Sequence, residues 1–212
     1  MNNDFYENIN YILLIMNCEK YNFKSQKQKE TWLNFDNIKP IQLYFHVIGN
    51  INLDKNYNFD FENNILYIKV EDDYISLPKK VIRSFEAILD KFKNIKYVFK
   101  TDDDQNLINY NFLNTLIKFL NNKQPKIHYG GKILNIEAPF ISQYYKIHKE
   151  LPNNLIINPT IYCNGRFYFL SFDALNFLIN NKINIEKEYF EDYSIGLNLD
   201  NIFKQKIGRA HV

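Results

Sequence analysis

Residues 95–104 read IKYVFKTDDD. A hydrophobic run of strand length, 95–99, gives way to Lys100, Thr101 and three adjacent carboxylates, Asp102, Asp103 and Asp104. In open α/β sheets ligands collect outside the carboxyl ends of strands, which is where this acidic run would stand. Adjacent carboxylates repel one another, so a fold that keeps three of them there must neutralise them. A hard divalent cation does this with carboxylate oxygens and shares its shell with substrate phosphates. The plainer alternative is a solvated acidic turn, or an N-cap for a segment starting near Asn106.

Outward from this stretch, runs of strand length alternate with segments of helical period. The spacing predicts strands at Tyr11–Met16, at 42–48 (QLYFHVI, closed by Gly49), at 65–70 (ILYIKV) and at 167–170, with a short one at 155–157. A basic stretch at 24–35 is compatible with a helix. Pro78 suits the first position of another, and Val81, Phe85, Ile88, Leu89 and Phe92 follow it at helical spacing. Further helices are expected at 110–120, with Phe112, Leu113, Leu116, Ile117 and Leu120 inward, and at 172–179. Gly130-Gly131 reads as a turn. Strands alternating with helices imply the α/β class, with a mostly parallel central sheet flanked by helices on both faces. There is no internal repeat and no Gly/Ser-rich linker, so residues 1–206 read as one domain.

Composition excludes several classes. At 212 residues the chain is long enough to bury a substantial core, and 46% apolar residues argue against disorder. A net charge of +2 gives no electrostatic case for a nucleic-acid partner. Asn, Lys, Ile, Tyr and Phe, which share AT-rich codons, are favoured, so single surface Asn and Lys residues carry little functional meaning. Two cysteines, Cys18 and Cys163, make no disulfide framework and point to a reducing compartment. The apolar run Tyr11–Met16 is too short to span a bilayer and lacks a basic lead, so no membrane anchor and a cytoplasmic location are expected. The last six residues, 207–212, read IGRAHV. They are what ATCGGAAGAGCACACGTC encodes, a stretch resembling sequencing-adapter DNA, so they read as an artefact, with the natural sequence breaking off near Lys206.

Two further segments carry candidate chemistry. In EYFEDYSIG, Glu191 and Asp192 follow Tyr189-Phe190 and precede Gly196. A carboxylate at a helix start is favoured by the dipole and reads as a cap; it reads equally as a general base that takes a proton from a hydroxyl nucleophile. In YCNGRFYFLS, residues 162–171, Gly165 permits close backbone approach or a positive φ. The bland reading is a loop entering a buried strand, with Phe167 and Phe169 inward. Cys163 has no readable histidine partner for a catalytic thiol.

Together these segments resemble the β-1,3-galactosyltransferase/Fringe family. The family's K-x-DDD block is similar to residues 100–107, its Y-C-S-G-x-G-Y-V-x-S block to 162–171, and its E-D-V-x-x-G block to 191–196. Upstream, R-x-T-W resembles residues 29–32, the strand before F-L-L-G resembles 45–49, and D-x-Y-x-N-L-T-x-K resembles 72–80, with Tyr74, Leu77 and Lys80 in register. Six blocks in order span the chain from Ile12 to Leu199. The composition also resembles that of glycosyltransferases of giant DNA viruses. Four departures stand out. Lys29 replaces an arginine, losing bidentate phosphate geometry. Phe167 replaces the second glycine, and Tyr193 replaces valine. The metal-ligand histidine that family members supply after the E-D-V block would fall where the natural sequence is expected to break off; His211 stands at a suitable distance but in the tail read as an artefact, and it is not counted. His46, His128 and His148 read as ordinary strand or surface residues.

The resemblance implies the A-type glycosyltransferase (GT-A) fold, a UDP-sugar donor, a glycan or glycoprotein acceptor, and Mn²⁺ or Mg²⁺ as cofactor. It implies Asp104 and Asp102 as metal ligands, with Asp102, Asp103, Lys80, Lys29 and Gly165 on the nucleotide sugar. Asp192 is the implied catalytic base and Glu191 its catalytic companion, in an inverting transfer of a hexose or N-acetylhexosamine to a hydroxyl. Family relatives are often Golgi luminal. Two alternatives stay open: a non-catalytic sugar- or nucleotide-binding module of the same fold, and a nucleotidyltransferase using the same carboxylates.

Overall fold

The computed structural model describes residues 7–204 and the backbone of Gly208–Arg209. The reading of the tail as an artefact, and His211, therefore lie outside the described residues, apart from that short stretch of backbone. At the centre is β1 (Tyr11–Met16), a wholly buried strand. It pairs in parallel with β2 (Leu43–Gly49) on one side and with the strand of the acidic run (Tyr97–Asp102) on the other. Numbered along the chain, β3 (Tyr57–Asp60), β4 (Ile65–Ile68), β5 (Tyr97–Asp102), β6 (Tyr129–Ile136), β7 (Phe140–Ile141), β8 (Ile156–Ile157), β9 (Thr160–Ser171) and β10 (Gly208–Arg209) follow. The sheet has eight strands in the order β10-β6-β9-β5-β1-β2-β4-β3, and β7 pairs only with β8. Four of its contacts are parallel; β9 runs antiparallel to both β5 and β6, and β3 antiparallel to β4.

The central strands are buried at almost every position, so both faces of the sheet are covered. Ile12, Leu14 and Met16 face one core cluster, with Val81, Phe85 and Ile88 of α2 (Leu77–Lys91) and Ala174, Leu175 and Leu178 of α4 (Phe172–Asn180). Tyr11, Leu13 and Ile15 face the other, with Trp32 and Leu33 after α1 (Asn22–Thr31) and with Leu113, Leu116, Ile117 and Leu120 of α3 (Phe112–Asn122). The expected α/β layering therefore holds. α1 ends earlier than the basic stretch suggested, because Trp32 and Leu33 turn into the core. Gly130-Gly131 is not a turn but part of β6. A Cβ on Gly131 would lie 2.6 Å from the Phe167 carbonyl oxygen, so the glycine serves close strand approach.

The antiparallel course of β9 matters most for the site. Thr101 pairs with Phe167, so the chain before Phe167, including Gly165, lies at the carboxyl end of β5. Against the same part of β9 packs α5 (Glu191–Asn198). A Cβ on Gly196 would come within 2.2 Å of Tyr162 Cβ. The glycine therefore lets the helix lie on the strand, and its first turn carries Glu191 and Asp192 to the end of β5.

Candidate active site

The alternation of β5 sends Lys100 to the face where α5 lies. Its side chain is only 1% exposed, and its ammonium donates to Asp102 Oδ1 at 2.6 Å, to the Gly165 carbonyl at 2.7 Å and to Glu191 Oε2 at 3.0 Å. Burial would depress the Lys100 pKa, but Asp102 and Glu191 outweigh it and hold the ammonium above the ordinary lysine range. One buried cation thus joins Asp102 to Glu191, a residue 91 positions beyond the lysine in sequence.

Glu191 is 5% exposed. Its second oxygen accepts a very short hydrogen bond from the Tyr168 hydroxyl. Burial pushes its pKa up to about 7, the negative charges of Asp192 and Asp102 adding to the rise while Lys100 and Tyr168 oppose it. Asp192 is less enclosed. Its Oδ2 accepts from the Gly165 amide at 2.8 Å and its Oδ1 from the Tyr193 amide at 2.8 Å. Burial raises its pKa as well, against the pull of Lys100 and of those amides. A Cβ on Gly165 would stand 3.3 Å from Glu191 Oε2 and 3.4 Å from both Asp192 Oδ2 and Lys100 Nζ. Of the two readings of Gly165, close backbone approach is the one found, among the carboxylates, and its φ is not positive.

The three aspartates part company. Asp102 belongs to the Lys100 cluster. Asp103 is paired with Lys24 of α1 at 2.9 Å, and burial raises its pKa while Lys24 opposes. Asp104 is exposed and in no ion pair among the described residues; it accepts only from the Gln105 side chain. No group of three or more His, Cys, Asp or Glu side chains gathers as a metal site among the described residues. Asp102 and Asp104 are the carboxylates of the run that keep solvent access at this strand end without a cation of their own other than Lys100.

Lys80 lies elsewhere than the surface. It is 4% exposed, and its ammonium is held by the Asn17 carbonyl at 2.6 Å and Asp72 Oδ1 at 2.8 Å. Asp72 in turn accepts from the Gly49 and Glu19 amides, each at 2.9 Å. The Lys80–Asp72 pair thus clasps the carboxyl ends of β1 and β2, with two of the three ammonium protons given to Asn17 and Asp72. Lys29 donates to the Asn63 carbonyl at 2.7 Å, on the turn between β3 and β4, with Asp60 as its nearest charge partner. Neither lysine is brought to the Lys100 cluster.

Three groups were missed in the sequence: Lys100 itself, Tyr168 and Lys24. The signal for Lys100 was available, since it occupies a core-facing position in a strand otherwise filled by Val98. Cys163 is fully buried, and burial pushes its thiol up to about 12, which removes it as a nucleophile. His46 is a core strand residue, and His148 stacks on Tyr74 with ring centroids 3.8 Å apart.

A family model described as Galactosyltransferase matches residues 25–207. No curated protein sequence matches the chain. Among solved structures, 2-C-methyl-D-erythritol 4-phosphate cytidylyltransferase of Francisella tularensis is similar at 12% identity, over 88% of this chain and 85% of that one, with a TM-score of 0.41. A likeness of that size carries no argument about function.

Proposed function

The chain belongs to the galactosyltransferase family and is a glycosyltransferase of the GT-A type; from that premise we propose an inverting transfer of a hexose or N-acetylhexosamine from a UDP-sugar to a glycan hydroxyl. The observation that carries this reading is the Lys100 cluster. It holds the acidic run of β5 and the Glu191-Asp192 pair of α5 at one sheet edge, as a reaction with a diphosphate on one side and an alcohol on the other requires.

Asp192 is the general base. Its carboxylate is less enclosed than that of Glu191 and is oriented by two backbone amides. It takes the acceptor's hydroxyl proton while that oxygen forms a bond to the anomeric carbon. The bond from that carbon to the β-phosphate oxygen breaks on the opposite face, and its electron pair leaves with UDP. Glu191, with Lys100 on one oxygen and Tyr168 on the other, positions Asp192 instead of taking the proton. Asp104 and the second oxygen of Asp102 would hold a divalent cation. When bound, Mn²⁺ or Mg²⁺ supplies Lewis-acid stabilisation of the departing diphosphate. Asp103, held by Lys24, fixes the loop that carries Asp104. Lys80 and Lys29 are left to structural roles.

The test is product analysis with a panel of UDP-sugars, Mn²⁺ and sugar acceptors. Release of UDP with formation of a glycoside is expected. Affinity without product would make the chain a binding module, and release of a sugar 1-phosphate in place of UDP would make it a nucleotidyltransferase.

A further inference from the structure

On the face of the sheet away from Glu191 lies a cavity of about 500 Å³. Its floor is apolar, from Leu13, Trp32, Leu113 and Phe167, all part of the core cluster that Tyr168 does not join. The residues after the acidic run, 105–109, form one wall. Two cations, Lys132 and Arg166, line it and are exposed. Neither is in an ion pair among the described residues, and no Asp or Glu lines the cavity. Trp32 is 5% exposed, and its indole N–H has no acceptor among the described residues.

A cavity of this size with an apolar floor and few polar groups has the make-up of a small-molecule site. An apolar body would displace water from the floor at a gain proportional to the area covered, and an anion would meet two unpaired cations. We infer that this cavity is a second binding site, for a small molecule that joins an alkyl chain to a phosphate monoester. The site is independent of the transfer reaction. Its lining residues Asn164 and Arg166 flank Gly165, so an occupant lies one strand's thickness from the Asp192 carboxylate, on the other side of β9.

The probe is octyl phosphate, compared with 1-octanol and with inorganic phosphate. Trp32 is the only tryptophan in the chain, so its fluorescence reports on this cavity directly. Octyl phosphate should shift the Trp32 emission and bind about tenfold more tightly than either partial analogue. The Lys132→Ala/Arg166→Ala variant should bring octyl phosphate down to the affinity of octanol, with UDP binding unchanged. Binding of octyl phosphate no tighter than octanol, equal binding of inorganic phosphate, or binding without a Trp32 response would each overturn the inference. So would a Trp32 response to phosphatidylglycerol vesicles as strong as that to monomeric octyl phosphate, which would make this face a membrane surface. Because UDP binding is read separately, failure here leaves the transferase reading to its own test.

Discussion

At the scale of single residues the site is governed by one lysine. Replacing Lys100 by methionine leaves Glu191 buried without its counter-charge, and breaking such a pair from one side costs about 3–5 kcal/mol. Denaturant unfolding should register that loss, and a variant as stable as the parent would remove Lys100 from the centre of the site. Glu191 gives a pH signature. Its folded pKa is raised from 4.5 to about 7, so between these values the folded chain holds a proton that the unfolded chain has released. Its contribution is greatest below pH 4.5 and is lost as pH rises toward 7, with a slope of at most about 1.4 kcal/mol per pH unit. Glu191→Gln should flatten the fall in stability across that window; an unchanged slope would contradict the shift. The acidic residues of the site were legible because carboxylates at a strand end invite a chemical explanation. Lys80 was not, since sequence spacing places a lysine on a helix but does not say whether its ammonium meets solvent or, as here, Asp72 and a carbonyl.

Among the elements, the contact of α5 with β9 decides whether the two carboxylate groups meet. Gly196→Ala would drive a methyl group into Tyr162, and overpacking of this kind costs about 3 kcal/mol at its upper range. That corresponds to a Tm lower by roughly 6–12 °C for a chain of this size. Transfer should fall further than stability alone accounts for, because Asp192 moves with the helix. Full activity with an unchanged Tm would mean that the close approach has no role. The central strands and the long helices were readable from the sequence, since β1 is apolar throughout, β2 and the first half of β5 nearly so, and α2 keeps its buried residues at helical spacing. β6 was not, because Gly130-Gly131 carries a turn signature in sequence and only the nearness of Phe167 explains it. β3 was also unread; its alternation is half-buried and partly polar, and it gains its order from antiparallel pairing with β4.

At the scale of the whole molecule Glu191 packs with one core cluster of the sheet, and the apolar cavity lined by Lys132 and Arg166 opens on the other face. Among the described residues no helix is long and apolar enough to cross a membrane. Asp104→Ala should weaken UDP binding in the presence of Mn²⁺ while leaving the weaker, metal-free binding unchanged; equal loss in both conditions would argue that Asp104 shapes the loop and does not hold a cation. Family membership was foreshadowed by six sequence blocks, whereas the pairing of Asp102 with Glu191 through Lys100 needed the antiparallel return of β9, which block order does not encode. The central claim is that these two distant segments form one catalytic site with Asp192 as its base. The most direct measurement is the rate of UDP release by Asp192→Asn, taken beside its affinity for UDP under the same Mn²⁺ conditions. The account predicts affinity close to that of the parent and a rate lower by roughly 10²–10⁴-fold. Release at the parent rate, or a rate loss fully matched by lost affinity, would contradict it.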